Sequence, residues 1–109
     1  MTWTVSASGS QTSIIGTEHN LATDTTNGTY YFETNILNLA NGDILELRVY
    51  TITISGGSLL VAWKSTYGPI PPIQDVCPSP PQPSDQSLRV TLKQTAGSPR
   101  VFSWKLLRI

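Results

Sequence analysis

One cysteine and one histidine in 109 residues exclude several classes of chemistry at once. Cys77 has no partner for an intramolecular disulfide, and nothing beside it in the chain lowers the pKa of its thiol, so it reads as incidental. His19 alone supplies no two-histidine metal motif. There is no Gly-x-Ser-x-Gly elbow and no glycine-rich phosphate loop. Glu18, His19 and Asp24 lie close in sequence, but three such residues in a polar stretch occur commonly by chance. Glu33 and Glu46 can be imagined facing each other across strands, yet a chain this short rarely builds the deep cleft that paired carboxylates need. Charge is scarce too, at 13 % of residues against roughly 25 % in an average domain. No apolar run approaches the ~20 residues that span a bilayer, and Met1-Thr-Trp-Thr-Val-Ser opens without the basic and apolar regions of a secretory signal. The expectations are therefore no enzyme activity, no metal or other cofactor, no membrane association, and synthesis in a cytoplasm.

Hydroxyls take the place of charge: fourteen Thr and twelve Ser. Thr suits strand surfaces and Ser suits turns. No long segment repeats at a period of 3.6, whereas several alternate at a period of 2. The first short strand runs over residues 2–8, with Trp3, Val5 and Ala7 on one face. Residues 9–27 read as a loop region interrupted by Ile14-Ile15. Residues 29–36 form a strand with Tyr30, Phe32 and Ile36 inward, and the long strand 44–55 places Leu45, Leu47 and Val49 inward. Its apolar phase switches to Ile52 and Ile54 after Tyr50, which calls for a bulge near Tyr50 or a second apolar face. Strand 59–67 then carries Leu59, Val61, Trp63 and Tyr67 on one side. Residues 86–95 point Leu88, Val90 and Leu92 inward, and residues 100–109 do the same with Phe102, Trp104 and Leu106. Asn27-Gly28, Asn41-Gly42, Gly56-Gly57 and Ala96-Gly97 mark turns. The expected fold is one all-β domain over residues 1–109, an antiparallel, jelly-roll-like β-sandwich of about six to eight strands with a long Pro-rich loop.

That loop holds seven of the eight prolines, between Gly68 and Ser84. Proline fixes φ and removes the amide donor, so the stretch is neither helix nor central strand but an extended, stiff arm. A connection this long in a small domain is usually functional or disordered. The candidate partner or self-association surface comprises Pro69, Ile70, Pro71, Pro72, Ile73, Val76, Pro78, Pro80, Pro81 and Pro83 of the arm. Tyr50, Ile52 and Ile54 at the phase switch join it, as does Tyr67. Tyr31, Tyr50 and Tyr67 suit a binding surface, since exposed tyrosines serve protein interfaces and sugar sites alike.

Net charge is zero, but all seven acids lie at or before Asp85, while Arg89, Lys93, Arg100, Lys105 and Arg108 follow it. These are either solvated strand faces or a basic surface, with Arg100, Lys105 and Arg108 set against an acidic partner protein. A nucleic-acid partner is not expected without a basic total. Few charges and no net charge favour association.

Four blocks carry a resemblance: Glu18-His-Asn-Leu-Ala-Thr-Asp-Thr-Thr-Asn27, Asn41-Gly-Asp-Ile-Leu-Glu-Leu-Arg-Val-Tyr-Thr51, Leu92-Lys-Gln-Thr-Ala-Gly97 and Trp104-Lys-Leu-Leu-Arg108. In this order they resemble a family of small virion structural proteins of tailed bacteriophages, over nearly the whole chain. Ser103 stands where members carry Pro before the last Trp, and the Ala-Gly turn continues as Ser98-Pro99. The resemblance implies a virion component and does not fix which one. A capsid cement (decoration) protein on the outside of the head, homotrimeric, with the major capsid protein as partner, fits the stiff arm and the late basic residues best; the alternative is a tail or baseplate adaptor that recognises a surface polysaccharide.

Overall fold

The computed structural model describes residues 2–70 and 73–109. Its described residues form nine strands: β1 (Thr4–Thr12), β2 (Glu18–Asp24), β3 (Gly28–Asn35), β4 (Ile44–Thr51), β5 (Leu60–Tyr67), β6 (Val76–Pro78), β7 (Gln82–Ser84), β8 (Leu88–Ala96) and β9 (Val101–Arg108). They make two antiparallel sheets packed as a sandwich. One has the order β1-β9-β3-β6, with β7 also on β3; the other has the order β2-β8-β4-β5.

Alternation places the core between the sheets. Tyr30, Phe32, Phe102 and Leu106 come from the first sheet, and Leu45, Leu47, Val49, Leu88, Val90 and Leu92 from the second, all essentially inaccessible. Each such side chain contributes about 1.5–3 kcal/mol on leaving water. Trp63, Tyr67 and Trp104 pack on this core while partly exposed.

Several sequence expectations change. The region 9–27 is not one loop: β1 runs on to Thr12, and Glu18–Asp24 is a full edge strand. Both strands carry register shifts, between Val5 and Ala7 and between Asn20 and Ala22, and these blur the period-2 signal. Trp3 precedes β1 and is 42 % exposed, its ring 6.1 Å from that of Tyr31, so it is no core residue. The strand beginning at Ile44 ends at Thr51. The irregularity opposite Tyr50 is present, but the extra residue is Ala62 on β5: Val49 pairs with Trp63 and Tyr50 with Val61. Val61 therefore turns to the outer face beside Tyr50, not inward.

The Pro-rich stretch is likewise not free along its whole length. Val76–Pro78 and Gln82–Ser84 both pair with β3. Between them Ser79 donates its N–H to Phe32 O at 2.7 Å, and its Oγ accepts from Phe32 N at 2.9 Å. One residue thus spans a place where flanking prolines cannot donate. A sheet tolerates proline on an edge strand, which this is, and an edge short of donors resists unwanted pairing.

Candidate functional site

The interface residues expected from sequence separate into three groups. Pro71 and Pro72 lie outside the described residues. Pro78, Pro80, Pro81 and Pro83 are exposed, but on or between strands held by the chain's own β3, as is Val76 at the start of β6. Pro69, Ile70 and Ile73 remain in the connection between β5 and β6, and the last two are 79 % and 104 % exposed. At the other end of β5, Ile54 is 70 % exposed while Ile52 is half-buried. Leu60 and Val61, at 59 % and 50 %, complete this aliphatic end of the β4–β5 hairpin. Among the described residues β5 pairs only with β4, which leaves its other edge open there. Sequence reading missed Leu60 as a surface residue, and a phase count that ignores the Ala62 bulge misplaces Val61.

Tyr67 is a correction. It sits on the inner face opposite Leu45, and its hydroxyl accepts a hydrogen bond from the buried Cys77. Burial pushes the Cys77 thiol pKa up, and the Tyr67 contact offsets this only in part.

The late cations Arg100, Lys105 and Arg108 have acidic partners within the molecule. Arg100 pairs with Asp43 at 2.9 Å, Lys105 with Glu33 at 3.1 Å and Arg108 with Asp24 at 3.3 Å. Acids early in the chain meet bases in or just before the last strand, so these three cations are already matched within the molecule. Glu33 and Glu46 lie on different sheets and do not form a pair of facing carboxylates. Glu46 instead binds Arg48 at 2.6 Å and Lys64 at 3.5 Å. Glu18 and Asp24 occupy opposite ends of β2, and His19 accepts a hydrogen bond from Ile14 N at 3.1 Å. Among the described residues there is no group of three metal-ligating side chains.

The outer face of the β2-β8-β4-β5 sheet holds a polar depression lined by Glu18, Asn20, Tyr50, Leu59 and Arg89. Glu18 Oε2 accepts from Tyr50 Oη at 2.5 Å and from Thr91 Oγ1 at 2.7 Å. Thr91 is buried although its strand position faces outward. Burial raises the Glu18 pKa, but the Tyr50 and Thr91 hydroxyls, with Arg48 and Lys93 nearby, outweigh it and hold the carboxyl below its ordinary value. The Tyr50 hydroxyl is pushed up by burial and by Glu18.

No family model matches the chain, and no curated relative and no solved structure is significantly similar to it.

Proposed function

We propose that this domain is a non-enzymatic component of a bacteriophage particle: a capsid cement (decoration) protein that binds the outside of the head shell and stabilises it by non-covalent contacts. One observation carries the reading. Exposed aliphatic side chains stand at both ends of the open edge strand β5, Ile54 and Leu60 at one end and Ile70 and Ile73 at the other. Apolar surface beside an unpaired edge favours contact with another protein. The major capsid protein is the partner, and the assembled form is a homotrimer. Ile70 and Ile73 of the proline-containing connection, rather than the whole stretch 68–84, present its exposed apolar surface. Docking such a stiff connection costs less entropy than ordering a flexible one.

We read the two strand orders, with β6 and β7 counted as halves of one edge strand, as the two four-stranded sheets of a jelly roll with a Pro-rich loop. Capsid and lectin domains both use that architecture, though a fold alone does not assign a function. The phage setting comes from the resemblance of the four sequence blocks.

The test is decoration of purified heads. The double variant Ile54→Ser/Leu60→Ser should keep its stability within about 0.5 kcal/mol, because both sites are exposed, and should lose shell binding. Wild-type protein should occur in virions at capsid-scale copy number and scatter light as a trimer. Unchanged binding by the variant, or a few copies confined to the tail, refutes the cement reading.

A further inference from the structure

We infer that the depression on the outer face of the β2-β8-β4-β5 sheet binds an acidic saccharide, a sugar ring bearing a carboxylate. This surface is separate from the aliphatic ends of β5, and the inference does not depend on where the protein sits in a particle.

The argument begins with charge. Of the seven Lys and Arg residues, Arg48, Lys64, Arg100, Lys105 and Arg108 have carboxylates within ion-pair distance. Arg89 has none among the described residues, and it lines the depression. Its Nε is held by Thr23 Oγ1 at 3.2 Å, which orients the guanidinium and leaves both Nη groups for a ligand. Nearby Lys93 adds positive potential, while the one acid in the depression, Glu18, is already balanced by Arg48 at 3.6 Å. The vacant charge is therefore positive, and a planar fork of N–H donors suits a carboxylate.

The remaining groups suit a ring with hydroxyls. Tyr50 is tied through its hydroxyl to Glu18, so its ring is held in place before any ligand arrives. Leu59, from the connection before β5, supplies an apolar wall. Asn20 is exposed at the rim and offers both a donor and an acceptor. Arg48 Nη1 lies buried 3.6 Å from Glu18 Oε1 beneath this face and has no hydrogen-bond acceptor among the described residues. An oriented aromatic ring, an apolar wall, an amide and an unmatched guanidinium on rigid strands form a preorganised polar site.

The experiment is a two-dimensional amide NMR titration of the whole protein with glucuronate and N-acetylneuraminate, with glucose and acetate as controls. The acidic sugars should give saturable shifts in the Asn20 side-chain amide, the Arg89 Nε–H and the residues around Tyr50. Arg89→Gln should weaken binding by about tenfold or more while leaving the rest of the spectrum unchanged. Asn20→Ala, an exposed substitution at the rim, should weaken it without altering the fold. The inference is overturned if neither acidic sugar gives saturable shifts. It is equally overturned if glucose binds as well as glucuronate, or if acetate alone reproduces the response at the same concentration.

Discussion

Replacing Asp43 by Asn should remove about a quarter or more of a typical small domain's stability while barely changing the shape of the side chain. Asp43 lies just before β4 and is 1 % exposed. Its Oδ2 accepts from Ala40 N and from Arg100 Nε, each at 2.9 Å, and its Oδ1 accepts from Ser98 N at 3.2 Å. Three loops meet here. Gly97, at φ +93°, leaves no room for a Cβ, which would fall 1.9 Å from Asp43 Oδ1. Gly68, at φ +109°, has its missing Cβ 2.0 Å from Asp43 O. The asparagine amide has only one acceptor oxygen, so in either orientation its NH₂ opposes a protein N–H. The gentler orientation keeps the oxygen on Ala40 and Arg100 and leaves Ser98 N–H without an acceptor, which costs about 1–3 kcal/mol. Loss of the charge opposite Arg100, whose side chain is 35 % exposed, adds about 1 kcal/mol after allowance for solvent screening. The sum is about 3 kcal/mol, or a fall in Tm of about 15 °C at roughly 5 °C per kcal/mol for a domain of this size. Urea unfolding followed by tryptophan fluorescence and circular dichroism measures it directly, with an unchanged m-value as evidence that both end states are preserved. A loss below about 0.5 kcal/mol, the size expected of an ordinary surface change, would show that Asp43 does not hold the three loops together.

Two further outcomes follow from the same structure. Asp24 links the sheets: it accepts from Ser6 Oγ on β1, from Thr26 N at 2.8 Å and from Arg108 Nη1 at 3.3 Å. Burial pushes its carboxyl up, but the hydrogen bonds from Ser6 and Thr26 more than reverse this and bring it from an ordinary 3.8 to about 2. A depressed folded pKa stabilises above the unfolded value and loses that contribution as pH falls, so Asp24 should contribute about 1–2 kcal/mol near neutrality that disappears between about pH 5 and pH 2. Asp24→Asn should therefore flatten the acid limb of a stability-versus-pH curve, and an unchanged limb would contradict the assignment. Cys77 is 1 % exposed with its thiol pKa raised, so native protein should resist a thiol-labelling reagent and react at once when unfolded in urea; rapid labelling of the native state would place this residue elsewhere than between the sheets.

What the sequence by itself determined is which side of each regular strand faces inward. Tyr30 and Phe32, Leu45 through Val49, Leu88 through Leu92, and Phe102 with Leu106 alternate strictly, and burial of alternate side chains is the same whichever strand lies alongside. Tertiary structure decided the rest, because it depends on pairing between residues far apart in the chain. β2 reads as loop because an edge strand made of Glu18-His-Asn-Leu-Ala-Thr-Asp buries little, and its register shift erases what alternation remains. The inserted Ala62 moves Val61 to the surface through its partner strand, a shift that no count along β4 can register. The second half of the Pro-rich stretch lies on β3 because Ser79 offers the hydrogen bonds that its proline neighbours lack. The run of five late cations looks like a basic face only until the sheets bring Glu33, Asp24 and Asp43 against three of them. Opposite charges distant in sequence find one another only in the folded chain, and the same folding leaves Arg89 and Lys93 without an acidic partner among the described residues of the second sheet's outer face.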